Sequence, residues 1–314
     1  MKNLVLGIDI GGTNTVYGLV DVIGELYYEH SIKTKYFETM SDLIQSIKND
    51  PEILNQYQHL IGIGIGAPNG NHFTGTIEHA PNLPWHDTIH LQAITESVFN
   101  LPCKITNDAN AAALGEMLFG NAQDLKDFVT ITLGTGLGSG VIVHGELVYG
   151  HDGFAGEYGH IRVVADGRIC GCGRKGCLET YVSATGVTRS IKELSSPNQS
   201  TSALVQLSNP NSKDVFDYAD KGDPFALEIV DYTATILGNA LADFTCFSSP
   251  KAFVLFGGVA NAGKDFQTKV KQQMEQNMLT IFKDKVEIRI SSLQDKNAAV
   301  LGAAAMIFHT KKSV

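Results

Sequence analysis

Residues 4–20, LVLGIDIGGTNTVYGLV, join two apolar, β-branched runs through a pair of glycines. The pattern predicts a strand over Leu4–Ile10, a tight turn at Gly11-Gly12 and a second strand over Thr15–Val20. Gly24-Glu25 turns the chain again, and a third strand follows from about Leu26 to Lys33. About 124 residues later the scheme returns. Phe128–Leu133 reads as a strand, Gly134-Thr135-Gly136-Leu137-Gly138-Ser139-Gly140 as a glycine turn, and Val141-Ile142-Val143 as the start of the next strand. Gly145-Glu146 then turns the chain as Gly24-Glu25 did. Two copies of one plan within 314 residues predict two domains.

The remaining segments alternate strand and helix. Asp42–Lys48 starts a helix, and Leu60–Ile65 is a buried strand closed by Ala67-Pro68-Asn69-Gly70. Cys103–Thr106 is a short strand ending at Asn107-Asp108, good helix-capping residues, before a helical run over Ala109–Phe119. Ser195–Asn211 is rich in Ser, Asn and Pro and reads as a loop. A long helix over Pro224–Phe244, a strand over Ala252–Phe256, the pair Gly257-Gly258 and a helix over Asn297–Phe308 complete the chain. This order gives the α/β class.

Composition narrows the function. Hydrophobic residues are 43% and charged residues 18% of the chain, which excludes a disordered or fibrous protein. The 33 acidic and 24 basic side chains leave a net charge of −9, against nucleic acid or an anionic membrane as main partner. An anionic ligand would therefore need local backbone amides or a metal ion to hold it. No apolar run approaches the roughly 18 residues of a membrane span. Met1–Ile10 is broken by Asp9 and does not read as a signal peptide, so a cytoplasmic location is expected and the sequon at Asn198 carries no weight.

Asp9 stands at a strand end before Gly11, Gly12, Thr13 and Asn14. Glycines admit a phosphate close to the backbone, successive amides can cradle it, and the carboxylate can hold a metal ion. A plain hairpin turn would explain one such loop equally well; a second at Gly134, Thr135, Gly136 and Gly138 strengthens the phosphate reading. Two other matches fail. Gly258–Lys264 fits GxxxxGK, but Asp265 stands where a P-loop needs a hydroxyl. Gly171–Gly176 fits GxGxxG, but lies inside a cysteine cluster.

That cluster is the most specific local signal. Three of the five cysteines, Cys170, Cys172 and Cys177, fall within eight residues, with His160 upstream. Three thiolates and an imidazole make a closed, structural zinc site. Cys103 and Cys246 read as inert core residues. Asn82, Asn107, Asp108, Glu157 and Glu179 supply carboxylates and amides suited to sugar hydroxyls. Asp108 is either a helix cap or a general base. Glu157 and His160, three apart, would align on one helical turn, and metal binding would hold Glu179 near them.

Together these motifs resemble the ROK family of repressors, open-reading-frame proteins and sugar kinases. The resemblance rests on Asp9–Thr13, Asn107–Asn110, Leu133–Gly138, Gly156–His160 and Cys170–Glu179, and runs through Phe256–Val259 to the Gly302-Ala303-Ala304 helix. It implies an actin-like, ribonuclease-H-like ATPase fold with an interdomain cleft. The expected domains are a small one of 1–117 plus 297–314 and a large one of 118–296 carrying the zinc loop. The resemblance further implies that Asp108 is the base on a hexose hydroxyl, usually that on carbon six. It implies that Gly11–Asn14 and Gly134–Gly138 hold the phosphates of ATP, that Gly257 and Gly258 border the nucleoside, and that Asp9 sits near Mg2+. Asn82, Asn107, Glu157, His160 and Glu179 would contact the sugar, with His160 also on Zn2+.

Departures are few. Many members have Lys where this chain has Asn14, and many have Gly where Asn69 follows Pro68. With the first phosphate loop at residue 9, no preceding DNA-binding domain is expected. The expected activity is glucose to glucose 6-phosphate. An N-acetylmannosamine or N-acetylglucosamine kinase is the alternative, and a non-catalytic sugar-responsive regulator the alternative of another class. A zinc-binding fructokinase would be expected to carry a second His in the metal cluster. By resemblance alone, a homodimer is expected.

Overall fold

The computed structural model describes residues 3–80, 82–85, 87–195, 202–293 and 297–312. The first copy of the plan forms β1 (Leu4–Ile10), β2 (Asn14–Val20) and β3 (Leu26–Lys33). Then come α1 (Met40–Lys48), α2 (Pro51–Gln56), β4 (Leu60–Gly66), the short pair β5 (Gly70–Asn71) and β6 (Thr76–Ile77), α3 (Leu91–Phe99), β7 (Cys103–Thr106) and α4 (Asp108–Phe119). The second copy forms β8 (Phe128–Leu133), β9 (Leu137–Val143) and β10 (Glu146–Leu147). It continues through α5 (Glu179–Val182), α6 (Ala184–Leu194), α7 (Ser212–Ala219), α8 (Pro224–Ser248), β11 (Ala252–Phe256), α9 (Lys264–Asn277), β12 (Glu287–Ile290) and α10 (Ala298–Lys312).

The sheets repeat one topology. Their orders are β3-β2-β1-β4-β7 and β10-β9-β8-β11-β12. In the first, β1 and β2 pair antiparallel, with Asp9 opposite Val16, while β4 lies parallel to β1 and β7 parallel to β4. In the second, β11 runs parallel to both β8 and β12. The shared order, hairpin first and crossovers after, repeats one plan as the glycine turns led one to expect, and that plan is the actin-like one the family resemblance implies.

The chain divides into two compact units, 1–126 with 140–156 and 292–314, and 127–139 with 157–291. This differs from the sequence-based boundaries mainly at 140–156, and the reason is packing on α4. A Cβ on Gly140 would meet the Ala113 methyl at 2.6 Å and the Ala109 carbonyl oxygen at 2.8 Å. Gly138 and Gly140, read as parts of a turn, thus lie within β9, which begins at Leu137.

In the first unit β1 is buried along nearly its whole length, as a central strand with a parallel neighbour should be. Leu6, Ile8, Ile63, Leu43, Ile44 and Phe99 form its core, each contributing about 1.5–3 kcal/mol by leaving water. α10 lies directly on this sheet: a Cβ on Gly64 would come within 1.8 Å of the Ala303 carbonyl oxygen, and one on Gly302 within 2.3 Å of the Ala111 carbonyl oxygen. The second unit packs α8 on α9 around buried Leu237, Phe244, Phe253 and Phe266.

Other sequence expectations shift slightly. Helix α8 continues to Ser248, and Cys246 is exposed on its last turn rather than in the core, whereas Cys103 is buried. Of the expected Ser195–Asn211 loop, 202–211 form neither helix nor strand, while 196–201, with Asn198, lie outside the described residues. Among the described residues no helix is long and apolar enough to cross a membrane.

Candidate active site

In the first unit, β1 delivers Asp9 to the glycine turn. The Gly11 N–H donates to the Asn14 carbonyl at 2.9 Å, and the Thr34 hydroxyl donates to the Gly11 carbonyl at 2.7 Å. Across the hairpin, Lys33 Nζ donates to Asn14 Oδ1 at 2.8 Å, bringing a cation to the rim of the turn. Gly12 could carry no side chain, because a Cβ there would lie 2.1 Å from the Asn82 carbonyl oxygen. The turn and Asn82 are therefore neighbours.

β7 delivers Asn107 and Asp108. Asn107 is the N-cap of α4, its Oδ1 accepting the Asn110 N–H at 2.7 Å, and its amide NH2 group is the donor it can offer a ligand. Asp108 Oδ1 accepts the Ala109 N–H at 2.8 Å. The Asp108 side chain is open to solvent by surface area, yet protein crowds most of its surroundings, as for a carboxyl in a recess. That crowding raises its pKa against the hydrogen bond from Ala109. Asp9 is raised too, from 3.8 to about 7, by burial first and by the Asp108 charge second. A Cβ on Gly66 would lie 3.8 Å from both Asp9 Oδ1 and Asp108 Cα, so both acids border Gly66. Two oxygen-donor carboxyls, one destabilised as an anion by the other, fit a hard divalent cation.

In the second unit the Gly134 N–H donates to the Gly136 carbonyl at 3.1 Å, and the Gly138 N–H to Thr132 Oγ1 at 3.0 Å. Gly257, at φ +104°, approaches so closely that a Cβ on it would lie 2.6 Å from the Leu133 carbonyl oxygen and 3.3 Å from the Gly134 nitrogen. The structure thus joins Gly257 to the second glycine loop. Beside that loop opens a cavity of about 930 Å³ whose wall includes Thr135, Ala184, Thr185, Thr188, Arg189 and Lys192. Sequence reasoning missed the α6 part of this wall. The signal was the polar stripe Thr185, Thr188, Arg189 and Lys192 at helical spacing.

His160, Cys170, Cys172 and Cys177 bring their ligand atoms within 4.8 Å of one another. Cys172 and Cys177 Sγ are 3.7 Å apart, and Cys170 Sγ lies 3.6 Å from His160 Nδ1. Tetrahedral zinc with ordinary bond lengths needs edges of about 3.8 Å between sulfurs and about 3.5 Å between sulfur and nitrogen. The donor set fits. Burial opposes ionisation of Cys172, but hydrogen bonds from Arg174 and the neighbouring thiols outweigh it and lower the thiol to about 6. The other imidazole nitrogen, Nε2, faces Glu157 Oε2 at 4.0 Å. Glu179 touches both groups of residues: its Oε1 lies 2.9 Å from Cys170 Sγ and its Oε2 accepts the Leu137 N–H at 3.4 Å.

Comparison with known proteins follows the same lines. The sequence profile described as ROK family matches residues 5–310. A glucokinase of Halalkalibacterium halodurans is 35% identical over 319 residues, covering 98% of this chain and 96% of that protein. A ROK family glucokinase of Streptomyces griseus, solved with glucose and AMPPNP, superposes with a TM-score of 0.78 at 32% identity, covering 96% of this chain and 98% of that one. The ROK hexokinase of Thermus thermophilus gives a TM-score of 0.83 at 28% identity, covering 99% of this chain and 100% of that one.

Proposed function

The chain belongs to the ROK family, and on that premise we propose that it is an ATP-dependent hexose kinase that converts glucose to glucose 6-phosphate. The observation that carries this reading is Asp108 at the start of α4, beside Asp9 and the glycine turn. Phosphoryl transfer asks a protein mainly for positioning and charge stabilisation. Asp108 Oδ accepts the proton of the hexose 6-hydroxyl as that oxygen attacks the γ-phosphorus and the bond from that phosphorus to the β,γ-bridging oxygen breaks, releasing ADP; its raised pKa makes it the stronger base. Asn82, the Asn107 amide, Glu157, His160 and Glu179 hold the sugar hydroxyls.

The amides of Gly11–Asn14 and Gly134–Gly138 hold the phosphates, with Gly257 and Gly258 bordering the nucleoside. The base and ribose occupy the cavity beside α6, where Lys192 brings a cation and Arg189 is paired with Glu193. Magnesium, held on the Asp9 side, would neutralise charge on the phosphates. Zinc on His160, Cys170, Cys172 and Cys177 would fix the loop that presents Glu179, leaving His160 Nε2 free to meet the sugar.

An ADP-release assay with magnesium-ATP tests the reading against glucose, N-acetylglucosamine, N-acetylmannosamine, mannose and fructose, with Asp108→Asn in parallel. Turnover on glucose that the variant loses is the expected result. Preference for an N-acetyl sugar would move the substrate assignment, and silence on every sugar would favour a sugar-responsive regulator.

A further inference from the structure

We infer that Arg168 is a positioning residue whose single guanidinium sets both the glutamate beside the thiol cluster and the wall of the α6 cavity. The inference rests on the reading of that cavity as the nucleotide site. Arg168 is only 6% exposed. Its Nε donates to Glu193 Oε2 at 2.8 Å, Nη1 to the carbonyls of Thr180 at 2.6 Å and Gly186 at 3.0 Å, and Nη2 to Ser190 Oγ at 2.8 Å. The guanidinium carbon lies 4.4 Å from the centre of the Tyr181 ring. A buried cation persists only when paired and hydrogen-bonded, and here nearly every donor of the planar fork has a separate acceptor.

Two lines of contact leave this group, and both end on the second glycine loop. Thr180 follows Glu179, whose carboxylate meets Cys170 Sγ on one side and the Leu137 N–H on the other. Gly186 belongs to the first turn of α6. There the Ala184 N–H donates to the Gly134 carbonyl at 2.9 Å, and the Thr185 hydroxyl donates to the Thr135 carbonyl. The backbone of Arg168 is tied as well: its carbonyl accepts the Gly176 N–H at 2.8 Å from within the cysteine loop, and its N–H donates to the Tyr181 hydroxyl at 2.8 Å. One residue therefore fixes the distance between the hexose-side glutamate and the nucleotide wall. A lysine keeps the charge but cannot span acceptors on two helices.

The test compares Arg168→Lys, Arg168→Met and the milder Ser190→Ala with the parent protein. Melting temperature, zinc content, kcat, both KM values and calorimetric binding of magnesium-AMPPNP are measured. The expected result for Arg168→Lys is a folded, zinc-bearing protein whose KM for magnesium-ATP rises about tenfold, with a smaller rise for hexose and kcat within about threefold. Ser190→Ala should move the nucleotide KM the same way by about two- to threefold. Unchanged KM values beside a lowered melting temperature would overturn the inference, as would KM shifts that follow zinc loss alone. Should the arginine variants fail to fold, an unmoved KM in Ser190→Ala overturns it. Ala184→Trp, which fills the cavity, separates the two readings: undiminished AMPPNP binding overturns the cavity assignment itself, whatever Arg168 does.

Discussion

Asp9→Asn should stabilise the protein while abolishing its use of magnesium-ATP, and the gain should grow with pH. The Asp9 carboxyl titrates near 7 in the folded chain against 3.8 ordinarily. A raised acid pKa means that the folded state keeps a proton which the unfolded chain releases above about pH 4. Stability is then full below the unfolded pKa and is lost as pH rises towards the folded one. A shift from 3.8 to about 7 corresponds to a penalty on the order of 4 kcal/mol at pH 8, falling below about 1 kcal/mol at pH 4. Asparagine matches the shape of the neutral acid without the titration. Urea unfolding in magnesium-free buffer at pH 4, 6 and 8 measures the difference between variant and parent. It should be near zero at pH 4 and largest at pH 8. A gap independent of pH, or a variant less stable at pH 8, would refute the picture of Asp9 as a strained carboxylate waiting for a cation.

Asp108→Asn should keep hexose binding, read by calorimetry, while turnover falls by roughly 10² to 10⁴, the usual worth of a general base. Cys172→Ser should lose zinc and hexose affinity together, measured by metal analysis and glucose titration; a fully active zinc-free variant would show the cluster to be dispensable. Gly12→Ala places a methyl 2.1 Å from the Asn82 carbonyl oxygen, so KM for both substrates should rise by about tenfold or more as the turn and Asn82 part, whereas unchanged kinetics would mean that neither touches a ligand.

How far the sequence discloses this molecule depends on whether the cause of a feature is local. The bounds of β1, β8 and β11 follow from apolar runs and those of β3 and β7 from the turn residues beside them, and the structure places all five there. Thiols spaced for a metal announce themselves in the same way. β9 was legible only from Val141 because its glycines suggested a turn; Gly140 is small to let α4 approach, a reason that exists only in three dimensions. The α6 wall and Arg168 share that character. Nothing near Arg168 in sequence tells that its partners are Thr180, Gly186, Ser190 and Glu193. Cys246 shows the opposite failure, an apolar neighbourhood in sequence that the helix turns outward.

The bare-backbone seat of α10 on β1, β4 and α4 has a consequence for how the chain is made. Gly64 and Gly302 admit the helix so closely that a side chain at either position would push it away. Translation delivers residues 127–291 before residue 298, so the second unit can fold on the ribosome while the first still lacks a wall. Until α10 emerges, the sheet face of Gly7, Gly62 and Gly64 has no cover, and the unit begun first is the one finished last. Chains truncated before Ala298 should therefore expose the α10 face of the first unit and bind chaperones that the full chain does not.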